Sequence, residues 1–328
     1  MKGTLTQGGQ SAPATIPGVQ QALAGGSFFW LDLDDADPTD GDATNCLLNA
    51  FKFHPLAVED AEHFGQRPKL DTYDDFLYMV AHGAVADGSG TYEMHIFFCE
   101  KYVVSIHRGD HPVLAEVRRR IGNHRASDSA APEVVLVYFL VDALTDSFFP
   151  VLSAFDDRVD ELEDQILQRP TEAQLGVLFQ MKRQLLAVRK VVTPQRDMFA
   201  TMISGVIEVP GSTDESARYF RDLYDHLIRI SDMVDNYRDL LSGVMDTHIS
   251  TVSNRLNVVM KQLAIIATIF LPLSFLTGFF GQNFAYLALH LLTPAWVFWV
   301  FGVGLEVLTV IGLYIMFKRR GWLGGPTN

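Results

Sequence analysis

Carboxylates are the side chains of this sequence whose number and spacing could do chemistry. The chain has 39 Asp and Glu residues against 26 Lys and Arg, giving a net charge of −13. Carboxylate oxygens are preferred ligands of hard divalent cations such as Mg²⁺ and Ca²⁺. The densest group falls on one predicted helix, residues 133–168, and comprises Asp142, Asp146, Asp156, Asp157, Asp160, Glu161, Glu163 and Asp164. Without a partner surface, most of these acids are expected to be solvated charges.

Motifs of common catalytic and metal sites are absent from the sequence. The acidic turn from Asp34 to Asp42 lacks the glycine and the bidentate glutamate of the EF-hand spacing, which favours a solvated loop. There is no Walker loop, GxSxG elbow, HExxH or Rossmann fingerprint. The two cysteines, Cys46 and Cys99, form neither a disulfide framework nor a CxxC zinc pair. The sequence therefore predicts a protein that is not an enzyme and has no organic cofactor.

Charge is distributed unevenly along the chain. Residues 251–328 contain five basic residues and a single acid, Glu306, whereas residues 1–250 carry a net charge of −17. The 44 residues between Lys261 and Glu306 contain no Asp, Glu, Lys or Arg. Such a span excludes an ordinary soluble protein. The acidic remainder argues against nucleic acid as a partner, because it repels phosphate.

Two apolar segments, residues 262–282 and 295–317, are each long enough to cross the roughly 30 Å hydrocarbon core of a bilayer. They predict a pair of membrane helices joined by a loop at 283–294. Glu306 is the one charge in the second segment, and intramembrane acids are costly and often functional. It could instead bond to a neighbouring helix or be hydrated near an interface.

The orientation of these segments follows from their basic residues. Lys261 precedes the first segment, a Lys-Arg-Arg run at 318–320 follows the second, and the loop between them has neither Lys nor Arg. The positive-inside rule predicts a plasma-membrane protein with both termini in the cytoplasm, an external loop and a cytoplasmic tail at 318–328.

One face of the first segment carries small or mildly polar residues at steps of three and four. Such a stripe either permits close helix packing or lines a narrow pore, and the pattern alone leaves both readings open. The stripe consists of Asn257, Met260, Ala264, Ala267, Leu271, Ser274, Gly278 and Gly281.

The region before the membrane segments divides by composition and periodicity. Residues 1–26 are rich in Gly, Gln, Ser, Thr and Pro, which predicts a disordered leader. Residues 27–132 contain strand-like runs at 27–33, 76–86 and 92–107, and an Asp-Gly turn between the last two is a hairpin signal. We therefore predict an α+β domain with a mixed sheet and flanking helices.

Helical patterns continue from there to the membrane. Residues 133–212 are predicted to form a helical bundle, and residues 213–261 a stalk helix. No proline occurs from Thr213 to Leu271. The apolar residues of the stalk follow a heptad, which predicts a long helix packed lengthwise against others. They are Leu223, Leu227, Ile230, Val234, Tyr237, Leu241 and Val244.

Several ordered motifs give the sequence a strong resemblance to the CorA family of divalent-cation channels. They are the run NVVMK at 257–261, IIATIFLPLSFLTG at 265–278, GQNF at 281–284 and the terminal KRRGWL. Upstream, HPLAVEDAEHFGQRPKL (54–70), VDALTDSFF (141–149) and YFRDLYDHLIRISD (219–232) are similar to the same family in the same order. The resemblance covers roughly residues 27–323.

The resemblance implies a funnel-shaped homopentamer in which five first-span helices line a pore for magnesium. At the pore mouth the family has Gly-Met-Asn, and this chain has Gly281, Gln282 and Asn283. The Asn283 amide would hold a hydrated ion through hydrogen bonds, without demanding the dehydration that Mg²⁺ resists. The remaining pore-lining residues implied are Asn257, Met260, Ala264, Ala267, Leu271, Ser274 and Gly278, among which Met260 and Leu271 would form hydrophobic constrictions.

The resemblance also assigns a regulatory role to cytoplasmic carboxylates. In the family, intracellular magnesium closes the pore by bridging acids of neighbouring subunits. The matching positions are Asp60 and Asp222, with Glu59 and Asp146 as partners in a second site. Loss of the ion would let repelling carboxylates push the subunits apart, which couples site occupancy to the pore.

Two alternatives stay open. Gln282 replaces the family's Met, and the external loop has no acid. The zinc-transporting ZntB branch also lacks the strict signature, so a zinc transporter is the second reading, with Glu306 or His290 as proton carriers if transport is proton-coupled. The third reading is a membrane-anchored scaffold that does not conduct.

Overall fold

The computed structural model describes residues 1–34, 41–109, 111–123, 131–207, 209, 211, 213–282, 289 and 295–322. It divides into two compact units, Met1–Asp246 and Thr247–Asn328. Asn283 and His290 lie outside the described residues, as does all of the predicted external loop except Leu289.

The first unit contains a seven-stranded mixed sheet. Its strands are β1 Gly3–Gln7, β2 Gln10–Pro13, β3 Phe29–Asp34, β4 Lys69–Thr72, β5 Leu77–Ala84, β6 Thr91–Cys99 and β7 Tyr102–His107. Their spatial order is β2-β1-β3-β7-β6-β5-β4. Only β3 and β7 pair in parallel among these strands, with Leu31 opposite Val104, and the other pairs are antiparallel.

The predicted hairpin is present, with one refinement. β5 and β6 pair antiparallel across the Asp87–Gly90 turn, where Asp87 Oδ1 accepts from the Ser89 N–H at 2.8 Å and Gly88 has a φ of 69°. The second predicted run is divided, because the chain turns at Glu100 and Lys101 between β6 and β7.

Residues 1–26 differ from the predicted disordered leader. They form β1, β2 and the helix α1, Ile16–Gly25, and β1 pairs with β3. Gly8 and Gly9 make the β1–β2 turn at φ values of 56° and 78°, which residues with a Cβ rarely adopt. Val19 of α1 is fully buried. These residues are ordered because they add two strands to the sheet edge. Composition alone does not reveal this strand pairing.

Helices cover both faces of the sheet. On one face lie α1, α2 (Asp42–Asn45), a π-helical turn (Cys46–Ala50) and α3 (Pro55–Glu62). They pack with Tyr78, Val80 and Phe97, whereas the neighbouring Leu77 and Met79 belong to the core on the other face. Both clusters are buried, so β5 is buried along its whole length. Each such side chain contributes about 2 kcal/mol by burial.

The opposite face is covered by α4 (Pro112–Asn123), α5 (Pro132–Asp146), α6 (Phe148–Gln168), α7 (Glu172–Ile203) and the first part of α8 (Asp214–Phe280). Strands are absent from the described residues after 107, as predicted for the part after 133. The helix predicted for 133–168 is two helices that meet at Ser147. Its Oγ accepts from the Ala84 N–H at 2.7 Å and donates to the Leu144 carbonyl.

Helix α8 has 67 residues, about 100 Å at 1.5 Å per residue. The seam predicted from the heptad is the buried face of its first part, and all but one of its members are at most 3% exposed: Leu223, Leu227, Ile230, Val234, Leu241 and Val244. The seventh, Tyr237, is half-buried and packs on Phe155.

The second unit contains the last part of α8, the turn α9 (Ala295–Val297), a π-helical segment (Phe298–Gly304) and α10 (Leu305–Arg319). Phe317 of α10 is buried and stacks on Trp322 at 5.7 Å between ring centroids. Lys261 Nζ of α8 donates to the Gly321 carbonyl at 3.5 Å.

Candidate functional site

Asp142, Asp146 and His226 form a cluster with the composition of a metal site. Asp142 and Asp146 lie one turn apart on α5, and His226 faces them from α8. His226 Nδ1 is 3.5 Å from Asp142 Oδ1 and 3.6 Å from Asp146 Oδ1. One ligand atom from each of the three lies within 4.8 Å of the others. Carboxylate and imidazole donors together suit zinc, cobalt and related ions.

Burial makes the carboxylates of this cluster electrostatically costly. Asp142 is 4% exposed, and its Oδ1 has no hydrogen-bond partner among the described residues. Burial, followed by the Asp142 charge, raises the pKa of Asp146, although His226 and Arg120 act in the opposite direction. Arg120 of α4 hydrogen-bonds to Asp142 and lies 3.8 Å from Asp146. A metal ion here would share the carboxylates with this guanidinium.

Asp222 joins the same cluster from one turn before His226. Its Oδ1 lies 4.0 Å from His226 Nε2, and its Oδ2 accepts a hydrogen bond from the Tyr138 hydroxyl at 2.8 Å. The Asp222 side chain is half exposed, so one part of it remains open to solvent. The structure thus brings Asp146 and Asp222 together through His226. Sequence reasoning did not select His226, although its i+4 spacing from Asp222 was a signal.

Glu59 and Asp60 lie elsewhere in the first unit, on α3. Asp60 Oδ2 pairs with Lys69 Nζ at 2.6 Å, and the same ammonium is 2.7 Å from Asp71. Burial lowers the pKa of Lys69, but these two carboxylates outweigh it and hold the pKa above its ordinary value. Glu59 is exposed. No ion pair links this pair to Asp146 or Asp222 among the described residues.

Three helical stretches are long and apolar enough to cross a membrane. The first, Pro132–Gln168, is 61% buried inside the protein over its most apolar window and is a core element of the first unit. The other two, within Ala217–Phe280 and Trp299–Arg319, have 0% and 6% of that window buried. These exposed apolar helices coincide with the two predicted membrane segments.

The first segment has two distinct faces. Its half-covered residues recur at helical spacing: Lys261, Ile265, Ile269, Pro272, Leu273, Leu276 and Phe280. This stripe is turned about 100° around the helix from the face predicted to line a pore. All residues of that predicted face are exposed: Asn257, Met260, Ala264, Ala267, Leu271, Ser274 and Gly278, as are Gly281 and Gln282.

Glu306 also lies on a half-covered stripe. Its neighbours at helical spacing, Val303, Thr309, Leu313 and Met316, are half-buried like Glu306, whereas Val307 and Leu308 are exposed. It forms no ion pair or side-chain hydrogen bond in the described part of the chain. The acid is therefore turned toward covered structure rather than toward the outer surface of the helix.

Comparison with known proteins identifies the class. The sequence profile of the family described as CorA-like Mg²⁺ transporter protein matches residues 25–319. The "Cobalt/magnesium transport protein CorA" of Thermotoga maritima is 35% identical over 300 residues, which cover 90% of this chain and 83% of that protein. The "Zinc transport protein ZntB" of Yersinia enterocolitica is 28% identical over 298 residues, covering 90% and 88%.

The fold agrees with a solved structure of the same class. The complete CorA magnesium transporter of Methanocaldococcus jannaschii superposes with a TM-score of 0.82 at 20% identity, covering 98% of this chain and 99% of that one. The profile and the relatives define a membrane transporter of divalent metal cations. The chain belongs to the family of CorA-like Mg²⁺ transporters.

Proposed function

We propose that this chain assembles as a homopentamer in which the last part of α8 from each subunit lines a passive pathway for Mg²⁺. The observation that carries the proposal is the exposed stripe of small and mildly polar residues on α8. On a membrane helix, such a face permits close packing with other helices or lines a water-filled pore. Within one chain, the stripe beside it is half-covered, whereas this face stays exposed.

Asn283 would form the mouth of the pathway, next to the exposed Gly281 and Gln282. A ring of neutral amide oxygens can hold hydrated Mg²⁺ without removing its water. Met260 and Leu271, which are 64% and 73% exposed, would become the hydrophobic constrictions once five copies assemble. Both termini would be cytoplasmic, as the basic residues at the outer ends of the two spans favour.

Regulation would come from carboxylates that meet between subunits. Asp60 and Asp222 would share one divalent cation, and Glu59 and Asp146 a second. The side chains of Asp60 and Asp222 are 34% and 50% exposed, so both are accessible to a neighbouring subunit. Neutralisation by the ion would hold the subunits together and the pore closed, and its loss would release them.

The test is flux into liposomes, measured ion by ion with the purified chain. We expect Mg²⁺ uptake that follows the membrane potential, worth about 2.3 kcal/mol per charge per 100 mV, and does not require a pH gradient. Asn283→Ala should alter the choice among Mg²⁺, Co²⁺ and Zn²⁺, whereas Asn236→Ala, an exposed amide elsewhere on α8, should not. An intact pentamer that passes no divalent ion would instead indicate a scaffold.

A proton-coupled zinc transporter is the second candidate, and the position of Glu306 favours it. An acid on a covered stripe within an apolar helix is a suitable proton carrier. In that case Zn²⁺ uptake would require a pH gradient, Mg²⁺ uptake would be absent, and Glu306→Gln would abolish the proton dependence. Mg²⁺ uptake that is unchanged in Glu306→Gln would exclude this candidate.

A further inference from the structure

The first unit contains a cavity of about 490 Å³ that the transport pathway does not use. Its wall is formed by the segment after α3 (residues 64–67), by parts of β5 and β6, by Arg108 and His111 after β7, and by Ala187, Lys190 and Val191 of α7. This volume falls within the range of about 300–1,000 Å³ typical of small-molecule sites.

Basic side chains converge on this cavity, although the chain as a whole is acidic. Arg67, Arg108 and Lys190 line it. Arg67 and Lys190 form no ion pair or side-chain hydrogen bond with any other described residue. Arg108 is held in place, since its Nη2 donates to the Glu62 carbonyl at 3.1 Å and its guanidinium lies 4.1 Å from the centroid of the Phe64 ring.

Glu93 is the acid of the cavity wall, and both of its carboxylate oxygens already have partners within the protein. Its oxygens accept from the backbone N–H groups of Gly65 at 2.6 Å and Gln66 at 3.1 Å, and lie 2.9 Å from His95 Nε2 and 3.7 Å from His82 Nε2. Burial would raise the pKa of Glu93, but the two histidines and Gly65 outweigh it and lower the pKa to about 2. The carboxylate is therefore ionised at neutral pH, and the three basic side chains of the cavity outnumber this single negative charge.

A buried polar group in the wall lacks a partner. His82 is 4% exposed and lines the cavity, and its Nδ1 has no hydrogen-bond partner among the described residues. A buried polar atom left unpaired is costly unless a ligand or water completes it. This observation is independent of the basic side chains, and a ligand in the cavity would account for it.

Aromatic rings supply the remainder of the wall. Phe64 carries the Arg108 guanidinium, and Tyr92 stacks on His111 with ring centroids 4.2 Å apart. Guanidinium and ammonium groups recognise phosphate oxygens, while rings contact a flat apolar group. Inorganic phosphate alone would leave the aromatic part of the cavity unfilled.

We propose that this cavity binds a small organic phosphate of the nucleotide type, with its phosphates on Arg67, Arg108 and Lys190 and its ring system against the aromatic wall. Bound there, the ligand connects the segment after α3 to α7. The proposal does not depend on conduction or on the number of subunits.

The test is isothermal titration calorimetry on the full chain in detergent, without added divalent cations. The probes are ADP, adenosine and inorganic phosphate. We expect ADP to bind more tightly than inorganic phosphate, adenosine not to bind, and ADP affinity to fall as ionic strength rises. Arg67→Gln and Lys190→Gln should each weaken ADP binding by about tenfold, the loss typical of one charge-assisted hydrogen bond.

Lys182→Gln is the matched control, because Lys182 is exposed on the same helix as Lys190 and does not line the cavity. It should leave ADP affinity unchanged. Since Arg67 and Lys190 are exposed, their replacement should preserve the thermal unfolding profile. Absence of ADP binding, or binding that both variants retain in full, would overturn the proposal. Equal affinity for inorganic phosphate and ADP would overturn its organic part.

Discussion

His226 stands between two carboxylates of different exposure, with Nδ1 3.5 Å from the buried Asp142 Oδ1 and Nε2 4.0 Å from the half-exposed Asp222 Oδ1. One imidazole therefore connects the core of the first unit to a carboxylate that is half open to solvent. An ion bound at Asp222, as proposed, would change the field at His226, and through it the balance among Asp142, Asp146 and Arg120. The proposed regulatory site is in this way electrostatically joined to the protein interior.

Removal of the buried charge in this cluster should destabilise the first unit. Asp142→Asn removes the buried partner of Arg120, which is partly exposed and keeps Glu116, so the loss should be about 1 to 2 kcal/mol, that of one hydrogen bond to a charged group. The melting temperature of the purified chain should fall. Asp164→Asn, an exposed acid on α6, serves as the control and should leave the melting temperature unchanged. An equal response of the two variants would mean that the Arg120 pair contributes no stability.

Glu93 should make stability depend on acid pH. Because the folded protein holds the pKa of Glu93 at about 2, below the usual 4.5, its contribution is present above pH 4.5 and is lost as the pH falls through 2. The full shift corresponds to about 3 kcal/mol. Glu93→Gln should therefore destabilise the protein at neutral pH, and its difference from the parent should shrink on acidification.

Thermal unfolding followed by circular dichroism across this pH range measures the effect. Glu100→Gln, which replaces an exposed acid at the turn after β6, should follow the parent at every pH. A difference between Glu93→Gln and the parent that stays constant down to pH 2 would contradict the assignment.

Loss of the carboxylate at Asp222 should impair closure by intracellular ions. In liposomes loaded with millimolar Mg²⁺ inside, the parent should conduct weakly and Asp222→Asn strongly, because the bridging ion has lost a ligand. Asp225→Asn replaces an exposed acid on the same helix and should close like the parent. Equal inhibition of all three proteins by internal Mg²⁺ would argue against the intersubunit site.

Leu271 should act as a barrier to hydrated ions. Leu271→Ala removes apolar volume from the proposed constriction, so water should fill it more readily and basal Mg²⁺ flux should rise. Ile266→Ala changes an exposed apolar residue on the opposite side of α8 and should leave flux unaltered. Similar flux in both variants and the parent would place the constriction elsewhere.

The elements predicted most accurately are those with a strong periodic or compositional signal. The β5–β6 hairpin and the heptad seam of α8 are both present. Apolar length also identified the two exposed helices. These features depend on local sequence, and local sequence was sufficient for them.

The missed features depend on tertiary partners. β1 pairs with β3 as well as with β2, and Ser147, where α5 meets α6, accepts a hydrogen bond from Ala84 in the sheet. Likewise, nothing within α8 reveals that His226 faces Asp142 on another helix. Burial, and hence the electrostatics of that cluster, exists only after the chain has folded.

The Lys69 ammonium, held between Asp60 and Asp71, would compete with a divalent cation for the Asp60 carboxylate. It is a tethered competitor, present at a high local concentration that never varies with the surrounding solution. A divalent cation that binds Asp60 at the proposed regulatory site would have to displace it or share the carboxylate with it. The ion concentration at half occupancy of that site would therefore rise with the strength of the Lys69–Asp60 pair.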